Sequence, residues 1–191
     1  MRSIATALVL SAGLASPAWA ISLPPVVTSG SASFVTNGSV LDVGNSFDTV
    51  LDWTEFSIAT GETVNFNQPD NSSSVLLRII ANNPTVINGS LRSNGSVYLT
   101  NPAGFLFGSH SLVNVYGLDV STGGGSGRIY VNGAINAVSG GWIRLAADYV
   151  SVNGNITFRG DISAVPEPDT APLFLVGLAM LGVAMRGQLR H

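Results

Sequence analysis

The sequence predicts an all-β fold built as a solenoid, and three observations support this prediction. Glycine is abundant, with 22 of 191 residues, while only 10% of residues are charged. Glycine and asparagine tolerate the positive φ of tight turns, and β-branched residues fit pleated strands. Apolar and polar residues alternate with period two in short stretches such as 97–99 and 143–145. The third observation is a short repeat.

The repeat places Asn-Gly between aliphatic residues in three places. It occurs as Ile87-Asn88-Gly89, as Val131-Asn132-Gly133 and as Val152-Asn153-Gly154. The last two units are 21 residues apart, which suits one coil of a solenoid. We expect a turn with positive φ at each Asn-Gly and inward aliphatic side chains, Val97 and Ile143 among them. Because Asn-Gly also indicates β-hairpins, an antiparallel sandwich is the structural alternative.

The N-terminal residues 1–20 have the layout of a secretory signal peptide. Arg2 precedes an apolar run, Pro17 follows it, and Ala18 and Ala20 occupy positions −3 and −1 of a cleavage site before Ile21. We therefore expect export and cleavage by signal peptidase, with a buried N-terminal helix as the alternative. The less regular segment 22–52 is predicted to cap the solenoid, whose exposed end would otherwise aggregate.

The C-terminal residues 165–191 have a three-part layout. A Pro-Glu-Pro motif precedes an apolar run over 171–185 and a sparse basic end, and these parts contribute Pro166, Glu167, Pro168, Arg186 and Arg190. A helix over the run is about 22 Å long, short of the roughly 30 Å hydrocarbon core, so it spans only with snorkelling arginines. This layout resembles the PEP-CTERM sorting signal of Gram-negative bacteria, which implies transient inner-membrane anchoring and cleavage by an exosortase-type protease. A plain membrane anchor is the alternative.

The body of the chain, residues 21–164, resembles the N-terminal two-partner secretion domain of the filamentous haemagglutinin family over residues 53–122. The matching positions are Trp53, Phe56, Ile58, Gly61, Val64, Phe66, Gln68, Pro69, Leu76, Arg78, Ile79, Ile87, Gly89, Leu91, Asn94, Gly95, Val97, Leu99, the motif Asn101-Pro102-Ala103-Gly104-Phe105-Leu106-Phe107-Gly108, and 117–122. The resemblance implies a right-handed parallel β-helix. It also implies export of an adhesin by an outer-membrane β-barrel transporter.

Two features depart from the family. Ala103 and Phe105 replace residues of the central Asn-Pro-Asn-Gly-Ile motif, and the second motif, Asn-Pro-Asn-Leu, is missing. The motif also has a physical explanation of its own, because Pro102 fixes φ, Gly104 can take a positive φ in a type II or related turn, and the Asn101 side chain can cap it. The sorting tail is therefore the expected route to the surface.

The sequence offers little catalytic chemistry. Cysteine is absent, and His110 has no second histidine outside the tail, so it is predicted to lie in a surface turn rather than in a metal site or charge relay. Asp148 and Asp161 are isolated candidates for a carboxylate pair. With a net charge of −3, nucleic acid is not an expected partner. No cofactor or metal is expected.

Aromatic residues are candidates for binding. Trp142 alternates out of phase with Ile143, so its ring is expected either to face solvent, where it can stack on a sugar, or to pack on a neighbouring coil. The prediction is an exported, non-enzymatic protein of the outer surface or extracellular matrix, with an adhesive or structural role linked to exopolysaccharide or the cell surface. The alternatives are a polysaccharide lyase or hydrolase on the same β-helix, and a two-partner secretion substrate.

Overall fold

The computed structural model describes residues 25–157, which form a parallel β-helix of about five turns. Each coil passes through up to three strands and returns to pair with the coil before it. The all-β prediction is therefore confirmed, and the antiparallel sandwich is wrong. The proposed signal helix, the C-terminal membrane helix and the sorting residues lie outside the described part of the chain.

The strands define three faces and a cap. The cap consists of β1 (Val26–Ser29) and β2 (Ala32–Asn37). The first face contains β3 (Val40–Asn45), β5 (Thr63–Asn67), β8 (Ser90–Ser93) and β15 (Asn155–Thr157), and the second contains β4 (Thr49–Trp53), β6 (Ser74–Ile79) and β9 (Ser96–Thr100). The third contains β7 (Thr85–Ile87), β10 (Gly104–Phe107), β12 (Arg128–Val131) and β14 (Val150–Val152). Two long strands, β11 (Leu112–Ser121) and β13 (Ala134–Ala146), run through the first and second faces without a break.

The passage of β13 from the first face to the second contains a bulge. Val115 of β11 pairs with Ala137, but Gly117 pairs with Trp142, so Tyr116 lies opposite residues 138–141. Gly140 within this bulge has φ of 81°, a conformation that glycine adopts at least cost. The bulge sets the register of the second half of β13 and thereby places Trp142.

The N-terminal cap is narrower than the sequence predicted. β1 pairs antiparallel with β4, and β2 pairs antiparallel with β3, so these two strands cover the edge of the first coil. β3 and β4 themselves belong to that coil, since they pair in parallel with β5 and β6. The prediction of a cap over 22–52 is thus correct for residues 26–37 and wrong for 40–52, where alternating buried and half-buried residues form strands of the first coil.

Inward side chains from all three faces form one core. Val97 is fully buried and Ile143 is 6% exposed, which confirms the predicted inward direction of both. The largest fully buried side chains include Trp53, Phe66, Phe105 and Phe107. Burying a side chain of this size stabilises the fold by roughly 1.5–3 kcal/mol. With no disulfide available, this apolar interior and the strand ladders hold the coils together.

The Asn-Gly repeat marks coil positions, but the predicted positive φ is wrong. Gly89, Gly133 and Gly154 are not among the described residues with positive φ. These positions require glycine because the backbone of another coil lies close to them. At Gly89, an added Cβ would lie 2.4 Å from the Ala59 oxygen. It would lie 2.4 Å from the Gly108 oxygen at Gly133 and 2.0 Å from the Gly133 oxygen at Gly154. Backbone from the preceding coil fills the space where a side chain would begin.

Candidate recognition surface

The turn at residues 101–104 connects the second face to the third. The Gly104 amide donates to the Asn101 carbonyl at 3.0 Å, and Gly104 has φ of 101°. Ala103, at position i+2, has no positive φ, so the turn is not type II, and Asn, Pro and Gly at positions i, i+1 and i+3 are typical of type I. An added Cβ on Gly104 would lie 2.4 Å from the Arg128 oxygen of the next coil, so both conformation and space require glycine here.

Asn101 acts as the cap that the sequence predicts. Its Oδ1 accepts a hydrogen bond from the Ala103 amide at 2.9 Å. Its Nδ2 donates to the Asn83 carbonyl and to Thr85 Oγ1 in the preceding coil. The side chain is fully buried, so all of this bonding replaces contacts with water. Asn101 therefore links two coils by hydrogen bonds as well as capping its own turn.

The rest of the motif divides between surface and core. Pro102 is exposed at the tip of the turn. Phe105 points inward and its ring stacks with that of Phe107 at 6.4 Å. The aromatic residue that replaces the family's aliphatic one thus fills the core of the third face. The hydrogen bonds of the motif are structural, and Pro102 is its most exposed residue.

A half-exposed aromatic pair lies on the second face. Trp142 projects outward from β13, and its ring centroid lies 5.6 Å from that of Tyr98 on β9, two strands away. Gly117 on the intervening strand β11 makes this possible, because a Cβ there would lie 2.7 Å from Trp142 Cε2. Both expectations for Trp142 are therefore met, since the ring packs across a neighbouring coil and still reaches solvent.

An ion pair borders these rings. Asp119 on β11 lies between Tyr98 and Arg144 in the strand register. Arg144 Nη1 donates to Asp119 Oδ2 at 2.8 Å, and the side chains are 38% and 12% exposed. Partial burial raises the pKa of Tyr98, and the carboxylates of Asp119 and Asp48 add to that rise, so its phenol stays protonated. Sequence reasoning missed Asp119 and Arg144, because only the coil register brings them together.

A second aromatic cluster lies near the last described coil, on the third face. The rings of Tyr130 and Tyr149 are 5.8 Å apart, and the Arg128 guanidinium lies 5.3 Å above the Tyr149 ring. The hydrogen bond that Arg128 donates to the Tyr130 hydroxyl raises the pKa of Arg128. This cluster is more exposed than the Trp142 pair, and cation–π contact accounts for its arrangement.

Several acidic side chains bind residues of a neighbouring coil. Asp52 binds Arg78, Asp42 accepts from Asn65, and Asp48 accepts from Ser74.

His110 lies in an exposed turn, as predicted, near Ser109 Oγ. Asp148 is exposed before β14, and Asp161 lies beyond the described residues. Among residues 25–157 no group of three metal-ligating side chains occurs, and no helix there is long enough to cross a membrane.

Family models match nearly the whole chain. The model of the TPS secretion domain matches residues 20–165, and that of the PEP-CTERM protein-sorting motif matches residues 164–190. The chain belongs to the TPS secretion domain family. This confirms the resemblance to the two-partner secretion domain and to the sorting signal. The protein is therefore an exported one.

Similar proteins agree with this assignment. The chain is 31% identical over 160 residues to a heme/hemopexin-binding protein of Haemophilus influenzae strain Rd, covering 71% of the chain and 18% of that protein. A second heme/hemopexin-binding protein of Haemophilus influenzae is 38% identical over 72 residues, covering 38% and 8%. The crystal structure of the HMW1 secretion domain from Haemophilus influenzae matches with a TM-score of 0.71 at 27% identity, covering 74% of this chain and 44% of that one. The chain thus spans less than a fifth of either curated relative's length.

Proposed function

We propose that this protein is a non-catalytic component of the outer surface or extracellular matrix, with an adhesive or structural role connected with exopolysaccharide. The observation that carries this proposal is the pair of matches over residues 20–165 and 164–190, which joins a secretion domain directly to a sorting motif. The bonds that Asp42, Asp48, Asp52, Asp119 and Asn101 make between coils support a role without catalysis.

The proposed processing has three parts. Residues 1–20 act as a signal peptide removed by signal peptidase after Ala20, residues 21–164 fold as the β-helix, and residues 165–191 act as the sorting tail. An exosortase-type protease cuts near Pro166-Glu167-Pro168 after transient anchoring in the inner membrane. An outer-membrane β-barrel transporter, which the secretion domain implies, is the partner for the last step.

Cell fractionation combined with mass spectrometry tests this route. We expect the mature protein in the surface or matrix fraction, beginning at Ile21 and ending near residue 165. A Glu167→Ala variant is expected to remain longer in the membrane fraction with its tail attached, while Asp169→Ala, just outside the motif, is expected to be processed normally. Full-length protein in the cytoplasm would refute the proposal.

The role itself is tested by deleting the gene and measuring surface attachment and the retention of exopolysaccharide in the matrix. We expect a deficit that the wild-type gene restores. The enzymatic alternative predicts release of reducing ends or unsaturated sugars from matrix polysaccharide by the purified protein. We expect no such release. If sugars are released, and the release disappears when a single acidic residue is mutated, the enzymatic alternative is established instead.

A further inference from the structure

The outer surface of the second face contains an aromatic platform, formed by the Trp142 ring with the Tyr98 ring tilted against it by 57°. The Trp142 ring lies across Gly117, where the missing Cβ leaves room for the indole beside the strand backbone. The residue before it, Gly141, is also required, because a Cβ there would lie 1.9 Å from the Tyr116 oxygen. Two glycines and a bulge thus set the indole close to the strand backbone. Trp142 remains partly exposed on the outer surface.

Hydrogen-bonding groups lie beside this platform in the same register. Asp119 and Arg144 form their 2.8 Å ion pair two residues along from Gly117 and Trp142, on the same outward side. The bond uses one of the five N–H donors of the guanidinium, and this side chain is 38% exposed. The Tyr98 hydroxyl and the Thr100 hydroxyl lie on the neighbouring strand β9, on the same side of the sheet.

The charges on this face are nearly balanced. Its outward side chains and the turn before β4 contribute the carboxylates of Asp48, Asp52 and Asp119 and the guanidinium groups of Arg78 and Arg144. Arg78 binds both oxygens of Asp52, and Arg144 binds Asp119. Each cation is therefore already neutralised by a carboxylate, and one carboxylate is in excess. Such a surface does not attract a polyanionic ligand, and it does not repel an uncharged one.

We propose that the surface formed by Trp142, Tyr98, Asp119 and Arg144 is a binding subsite for an uncharged saccharide. A pyranose ring has C–H groups on its face and hydroxyls on its edge. The face stacks on the indole, while the edge hydroxyls donate to the Asp119 carboxylate and accept from Arg144 and Tyr98. This inference rests on the proposed function and specifies its ligand, since it assigns the exopolysaccharide contact to one face of the β-helix.

The test uses the exported, processed protein purified from its host. Cellohexaose, laminarihexaose and chitohexaose are the uncharged probes, and heparin and alginate oligosaccharides are the acidic ones. Trp53 is 1% exposed, so a change in tryptophan fluorescence on titration reports chiefly on Trp142. We expect saturable binding of at least one uncharged hexasaccharide and none of the acidic probes. Binding of acidic probes alone, or of none, would overturn the proposal.

Substitutions then locate the subsite by calorimetric titration. Trp142→Ala is expected to raise the Kd by about tenfold or more, as expected for loss of a central aromatic anchor. Tyr149→Ala removes an exposed ring of the other aromatic cluster and is expected to leave the Kd unchanged. Unchanged binding by Trp142→Ala, with wild-type thermal unfolding, would overturn the assignment. If that variant does not fold, Trp142→Phe and Arg144→Gln provide the test, and both must raise the Kd.

The attachment assay separates this proposal from the one on which it rests. If gene deletion abolishes attachment and Trp142→Ala restores it as well as the wild type does, the protein is an adhesin but this subsite is wrong. If gene deletion changes neither attachment nor matrix retention, the proposed function fails. Binding of an uncharged hexasaccharide that depends on Trp142 would in that case still establish the subsite.

Discussion

The short distance between coils determines which residue types fit at several positions of this protein. Neighbouring parallel strands lie about 4.8 Å apart, so a Cβ that points along the stacking direction would meet the backbone of the next coil. Gly133 is such a position, since it faces the Gly108 and Ser111 oxygens. At Asn101 a side chain is needed between coils, because it hydrogen-bonds a backbone carbonyl and a hydroxyl group of the preceding coil.

Replacing Gly133 by alanine tests the packing explanation of the repeat. The new Cβ would meet backbone oxygens at 2.4 and 2.7 Å, and neither can move without shifting a coil. We expect a loss of about 1–3 kcal/mol in the free energy of unfolding, measured by urea denaturation. Gly44→Ala is the control, because its nearest neighbour is the rotatable Ser33 hydroxyl at 2.9 Å. Equal stability of the two variants would contradict the explanation.

Tyr98 gives a prediction on pH. Its folded-state pKa is raised above the usual 10.0 by burial and by Asp119 and Asp48, so folding favours the neutral phenol. The resulting stabilisation is fully present below the unfolded pKa near 10 and is lost as pH rises through the folded pKa. Between pH 9 and pH 11 we expect the wild type to lose more unfolding free energy than Tyr98→Phe. Parallel pH profiles in urea denaturation would argue against this environment for Tyr98.

At the scale of elements, the strands alternate between one core and three outer surfaces. Inward positions of successive coils stack in register, as Leu77, Leu99 and Val120 show. A single strand therefore cannot shift by one residue without turning its apolar side chains outward. The bulge at 138–141 shifts the register of β13 against β11, and after it Ile143 points into the core while Trp142 points outward.

A charge placed inward should unfold the domain. Val97→Asp puts an unpaired carboxylate among fully buried apolar side chains, and we expect a loss of at least about 4 kcal/mol or no folded protein. Thr100→Asp places the same charge on the outer surface of the same strand, next to Arg78 in the register, and is expected to fold normally. Circular dichroism on heating distinguishes the two, and wild-type unfolding of Val97→Asp would show the strand phase to be wrong.

At the scale of the whole molecule, the ends of the β-helix need protection. β1 and β2 cover the first coil by running antiparallel to it, which occupies the hydrogen-bonding edges of β3 and β4. A mature chain that begins at Gly38 would expose both edges at once. We expect it to form large aggregates in multi-angle light scattering. Val35→Lys changes a residue that is 60% exposed and keeps the cap, so it is expected to remain as dispersed as the wild type.

Alternation, the Asn-Gly repeat and the secretion-domain motif were enough to predict the solenoid, the inward direction of Val97 and Ile143, and the capping role of Asn101. These features are local, because side-chain alternation and turn chemistry are written in a few neighbouring residues. The resemblance over residues 53–122 added the parallel β-helix and the family.

What the tertiary structure decided depends on register between coils. The close approach at Gly89, Gly133 and Gly154 is a contact with another coil, and the sequence shows only a glycine, for which a turn was the nearer explanation. The Asp119–Arg144 pair and the seat of Trp142 on Gly117 join residues about one coil apart, and the bulge at 138–141 sets their alignment. Local pattern fixes which way a side chain points, whereas its neighbours across the ladder follow from how many residues each coil contains.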